Sequence, residues 1–123
     1  MREISVLVVD DNQPLRHSIV EKLSMEADIA VVSEATDGLE AIQKVRELNP
    51  DLVLIDIRMP KMNGIEATRR IKEEWPGLKV IVLTIHDLQE YRKVAKKIGA
   101  DAFVSKVSLD NELIPAIRDV FKN

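Results

Sequence analysis

The chain of 123 residues contains no cysteine. Disulfides and thiolate metal centres are therefore excluded, which suits a reducing cytoplasm. Aromatic residues are scarce, with one Trp, one Tyr and two Phe, so no base-stacking platform for single-stranded nucleic acid is present. Positive charge is not in excess: 18 Lys and Arg stand against 21 Asp and Glu. Without a basic stripe, direct binding to a nucleic-acid backbone is not expected. No apolar run approaches the roughly 20 residues that cross a bilayer. The opening "MREISVLVVDD" lacks the apolar core and small-residue cleavage site of a signal peptide. A cytoplasmic protein that does not engage membranes is expected. A chain of this length fits one domain, residues 1–123, large enough to need no covalent staple.

What is present is a regular alternation. Short β-branched runs at Ile4–Val9, Ile29–Ser33, Leu52–Ile55, Lys79–Leu83 and Ala102–Val104 are mostly continuously apolar, as strands buried on both faces of a parallel sheet are. Between them fall stripes of helical spacing: Leu15, Ile19 and Leu23; Ile42 and Val45; Ile65, Thr68 and Ile71; Tyr91, Val94, Ala95 and Ile98; Leu113, Ile117, Val120 and Phe121. Each stripe is read as core packing. Pro14 can open the first helix, and Gly38, Asn49-Pro50, Gly64, Pro76-Gly77 and Gly99 fall where the pattern switches. Pro115 must sit in the first turn of the last helix or bend it. Five βα units in a row predict an α/β, doubly wound, five-stranded parallel sheet of flavodoxin-like order 2-1-3-4-5. Five helices cover it in a three-layer sandwich.

In such a sheet, ligands bind beyond the carboxyl ends of the strands, where the winding reverses. The first strand runs into Asp10-Asp11, the third into Asp56, the fourth into Thr84 and the fifth into Lys106. Singly, these residues have plain explanations: an Asp caps or turns a chain, a Thr favours strands, a Lys is solvated. Together they put three carboxylates on one edge, where they repel unless a cation joins them. Oxygen ligands without His or Cys suit Mg²⁺, with Mn²⁺ in its place as the alternative. Thr84 and Lys106 are then donors to phosphoryl oxygens.

The segments "VLVVDD" (6–11), "EATDGLEAI" (34–42), "PDLVLIDIRMPKMNGIEATRRI" (50–71), "VIVLT" (80–84) and "GADAFVSK" (99–106) resemble the receiver domain of two-component response regulators, most closely the NarL/FixJ type. The resemblance spans the whole chain. It implies that Asp56 is the phosphoacceptor. It also implies that Asp10, Asp11, Asp56 and the backbone carbonyl of Arg58 hold the metal ion. Thr84 and Phe103 are the implied switch pair, and Lys106 the implied phosphate-binding lysine. The implied donor is a phosphohistidine on a sensor histidine kinase. The implied readout is an output domain or a homodimer, met through the face of helix 4, strand 5 and helix 5. The implied role is a signalling switch, not an enzyme, acting on transcription through an output domain outside this chain or as a stand-alone receiver. Arg58 and His86 flank the approach of water to the phosphorylated site, and crowding there predicts a long-lived phosphorylated state.

Two positions depart from the family pattern. Val107 follows the active-site lysine where proline is usual, so a trans bond is expected. Lys61 stands where glycine is common. Two enzymatic alternatives fit less well. A flavodoxin-like FMN site wants a hydroxyl- and glycine-rich first loop, and "DDNQP" repels a phosphate. An aspartyl-phosphate phosphatase of the haloacid-dehalogenase type wants an acid two residues after the nucleophile, where Arg58 stands.

Overall fold

The computed structural model describes residues 3–85 and 89–122. The elements run β1 (Ile4–Val9), α1 (Gln13–Ser24), β2 (Ile29–Ala35), α2 (Gly38–Leu48), β3 (Leu52–Asp56), α3 (Gly64–Glu74), β4 (Lys79–Thr84), α4 (Gln89–Lys97), β5 (Ala102–Ser105) and α5 (Leu109–Val120). A 3₁₀ turn at Lys106–Ser108 links β5 to α5. Every strand pair is parallel, in the order β2-β1-β3-β4-β5. This is the expected flavodoxin-like sheet.

The continuous apolar runs explain the layering. Alternate residues of one strand feed opposite faces. Val6 and Val8 of β1 join Leu52, Leu54, Ile81 and Leu83 in a core closed by Ile19 and Leu23 of α1 and by Leu113 and Ile117 of α5. Leu7 and Val9 join Val53, Ile55, Val80 and Val82 on the other face, under Val45 of α2, Ile71 of α3 and Ala95 of α4. All five residues of β3 are buried, as befits the central strand.

The turns at the carboxyl edge are built by side-chain caps. Asn12, Asp37 and Asn63 accept hydrogen bonds from the amides of Leu15, Glu40 and Glu66, opening α1, α2 and α3. Pro14 lies in the first turn of α1 as expected.

Three sequence expectations need correction. β2 runs on to Ala35, past the expected end at Ser33. Its register with β1 shifts between Val6 and Leu7, leaving Val32 as an extra, exposed residue on this edge strand. Of the two alternatives for Pro115, the first-turn position fails: it lies in the second turn of α5, which runs on to Val120. Pro115 and Asn111 are both on the exposed side, so the Asn111 carbonyl that loses its helical donor faces water. Val94 is 42% exposed and does not join the core. Of α4, Ala95 alone is buried, because this short helix carries Arg92, Lys93, Lys96 and Lys97 and meets the sheet near its edge.

Candidate functional site

β1 delivers Asp10 and Asp11 to the carboxyl edge beside Asp56 of the neighbouring β3. Carboxylate oxygens of these three residues lie within 4.8 Å of one another. Asp10 and Asp56 are buried, while Asp11 is exposed. Lys106 reaches in from the end of β5. Its Nζ is 2.6 Å from Asp10 Oδ2 and 3.1 Å from Asp56 Oδ1. Asp10, Asp11, Asn12, Asp56, Arg58, Thr84, Ile85 and Lys106 line one cleft of about 200 Å³.

The electrostatics are unbalanced. Burial pushes the Asp56 carboxyl above the usual range, Lys106 pulls it back, and Asp10 and Asp11 push it further up. One ammonium does not offset three carboxylates here. A clustered set of hard oxygen donors with a charge deficit fits a small dication.

The sequence-chosen residues Asp10, Asp11, Asp56, Thr84 and Lys106 all come together. Thr84 ends β4, is 3% exposed and pairs with Ser105 across the sheet. The bond from Lys106 to Val107 is not cis, as expected. Phe103 is half-buried against the α2–α3–α4 core, with the Arg92 guanidinium 4.6 Å above its ring. Arg58 turns its guanidinium to α4, where Nη2 donates to the Tyr91 hydroxyl at 3.1 Å. His86 lies outside the described residues.

Several contributors were not read from the sequence. Arg16 of α1 donates from Nη1 to the Asp10 carbonyl at 2.8 Å and from Nε to Glu34 Oε1 at 2.7 Å, bracing the acidic turn from behind. Its place four residues after the Asn12 cap was the available signal. The Asn12 amide donates to Asp10 Oδ1 at 2.9 Å. Gly64 is the third. A Cβ on it would stand 2.0 Å from the Asp56 carbonyl oxygen, and its amide donates to Ile57 O at 2.7 Å. The start of α3 thus presses directly on the backbone of Asp56. Lys61, at the usual glycine position, takes a left-handed φ of 65°.

The family model described as the response regulator receiver domain matches residues 6–118. The chain belongs to the response regulator receiver family. Receiver domains are phosphorylation-dependent signalling modules, and the relatives of this receiver are signalling proteins. It is 39% identical to the transcriptional regulatory protein DegU of Brevibacillus brevis, over 96% of this chain and 50% of that protein. It is 41% identical to the response regulator VraR of Staphylococcus saprophyticus, over 98% of this chain and 57% of that protein. A LuxR-family two-component response regulator from Aurantimonas sp. SI85-9A1 superposes with a TM-score of 0.92 at 32% identity, covering 96% of this receiver and 84% of that chain. The receiver spans about half the length of these curated relatives. Among the described residues, no helix is long and apolar enough to cross a membrane.

Proposed function

We propose that this receiver accepts a phosphoryl group on Asp56 from a phosphohistidine of a partner sensor histidine kinase. The observation that carries the reading is the bridge of buried Lys106 between Asp10 and Asp56, within a cluster whose three carboxylates outnumber its one ammonium by two. An Asp56 carboxylate oxygen attacks phosphorus. The new O–P bond forms as the P–N bond to the donor imidazole breaks, and the imidazole leaves with the bonding pair. The product is a mixed acyl phosphate.

Each side chain has a part. Lys106 orients the Asp56 carboxylate and donates to a phosphoryl oxygen. The Thr84 hydroxyl donates to another, and Phe103, already against the α4 side of the core, follows it as the switch aromatic. Asp10, Asp11, Asp56 and the Arg58 backbone carbonyl would hold Mg²⁺ or Mn²⁺, which when bound supplies charge neutralisation at the transferring oxygens. Arg16 keeps the Asp10–Asp11 turn in register. Arg58, which lines the cleft, crowds the approach of water, and the phosphorylated state is long-lived. The changed surface is the α4–β5–α5 face. It serves an output domain that controls transcription, or a second copy of the chain.

The test is intact mass. Acetyl phosphate or phosphoramidate with Mg²⁺ adds one phosphoryl group, and the gain vanishes with EDTA and in Asp56→Ala. Phosphorylation that survives in Asp56→Ala overturns the assignment.

A further inference from the structure

We propose that the Arg58 side chain reports the charge state of Asp56 to α4 by exchanging its hydrogen bond to Tyr91 for one to the phosphoryl group. The inference rests on Asp56 being the phosphoacceptor and adds the route by which its modification reaches α4.

The backbone around Arg58 cannot carry the signal easily. The Ile57 amide donates to Leu83 O at 3.2 Å, and the Ile57 carbonyl accepts from the Gly64 amide at 2.7 Å. The loop is thereby clamped to β4 on one side and to α3 on the other. The Arg58 side chain is not clamped. It is exposed, and its contact is to a neutral phenol. The same cleft that holds Asp56 is lined by Arg58.

Phosphorylation changes the competition for this guanidinium. A carboxylate of one negative charge becomes a group of about two, with three strong acceptor oxygens. Guanidinium binds phosphate oxygens in paired, charge-assisted hydrogen bonds that a phenol oxygen cannot match. Arg58 therefore leaves Tyr91.

α4 is the element placed to respond. Ala95 is its one buried residue, so apolar packing holds it weakly. The partly buried Tyr91 ring adds to it, and the polar ties among the described residues include Arg58 to Tyr91 and Arg92 stacked over Phe103. Release of the first loosens the start of α4, and the second keeps the helix attached to β5. The two ties meet adjacent residues of α4, so loss of one changes the load on the other.

The test measures amide hydrogen exchange of α4 in the 123-residue chain, with Asp56 phosphorylation followed by intact mass in the same samples. Tyr91→Phe removes the acceptor and keeps the ring. In the unphosphorylated protein it should raise α4 exchange about two- to fivefold, the range of an exposed charged contact. Phosphorylation should raise exchange by a similar factor in the wild type and add little in Tyr91→Phe. Arg58→Met should match Tyr91→Phe in the unphosphorylated state, and the double variant should not exceed either. Wild-type exchange in unphosphorylated Tyr91→Phe overturns the tether. So does a phosphorylation response of full size in that variant. Absence of any mass gain in the wild type overturns the phosphoacceptor reading itself, and mass separates that failure from the others.

Discussion

Gly64→Ala should damage the site more than the fold. The added Cβ would stand 2.0 Å from the Asp56 carbonyl oxygen and 3.1 Å from Ile57 Cα, whereas real Cβ contacts stay beyond 3.0 Å. The start of α3 and the end of β3 must therefore separate by about 1 Å, and the atoms in conflict are backbone, with no flexible side chain to yield. Overpacking of this kind costs about 1–3 kcal/mol. Alanine returns about 0.5–1 kcal/mol through helix propensity and a stiffer unfolded chain, because Gly64 does not need a left-handed φ. The net loss of about 1–2 kcal/mol lowers the melting temperature of a chain this size by about 4–8 °C and leaves it folded at 25 °C. The rate suffers more. A displacement of about 1 Å at a reacting group costs on the order of 100-fold. Thermal unfolding and initial phosphorylation rates with phosphoramidate measure the two effects separately. Gly77→Ala is the control, since a Cβ there meets nothing within 4 Å. A Gly64→Ala protein that melts like wild type and phosphorylates at the wild-type rate would refute the argument.

Thr68→Val should stabilise the protein by about 1 kcal/mol in urea titrations. The Thr68 hydroxyl is fully buried without a hydrogen-bond partner among the described residues, and a methyl of similar size carries no such penalty. Lys61→Gly should also stabilise, by up to about 1 kcal/mol, because glycine takes a φ of 65° without Cβ strain. The 3.8 Å pair with Asp37 that is lost is exposed on the lysine side and contributes little. Asp56→Asn should raise metal-free stability at neutral pH and flatten its pH dependence. The folded-state pKa of Asp56 is raised, chiefly by burial, so the native state holds this proton more tightly than the unfolded state. Its contribution is fully present below the unfolded carboxylate pKa and is lost as pH rises through the folded one. Urea midpoints from about pH 4 to 8 check the sign, and a steeper fall in Asp56→Asn than in wild type would reverse it.

The strands and the core of the site were legible for the same reason. A parallel sheet buries both faces of its strands, so each strand shows as an unbroken apolar run, and whatever follows the run must arrive at one edge. Asp10, Asp11, Asp56, Thr84 and Lys106 are all such followers. The supporting residues are not. Gly64 and the Arg58–Tyr91 pair act across loops or between helices, at distances that no local period encodes, and Arg16 is marked only by its spacing from the Asn12 cap. Tyr91 carried an apolar signal, and its polar end proved informative. Val94 fitted a helical stripe, yet α4 meets too little of the sheet to cover it. Pro115 broke a local rule, and water solvates the carbonyl it leaves without a donor.

The sheet also divides the interior. Its two faces carry separate cores, one under α1 and α5 and one under α2, α3 and α4. Side chains of the two do not interdigitate, so a volume change on one side is felt on the other only through strand backbone. The receiver is in that sense two half-molecules glued to a common plate. Arg58, Tyr91 and Phe103 gather on the α4 side, whereas α5 belongs to the opposite half. The two halves meet at both margins of the sheet, the free edges of β2 and β5; on β5, Phe103 looks one way and Val104 the other. A partner that straddles the β5 margin senses both halves at once. A partner confined to the outer face of α5 can diversify its contacts without touching Arg58, Tyr91 or Phe103 on the far side, whereas one that reaches the start of α1 meets Arg16, which braces the acid turn.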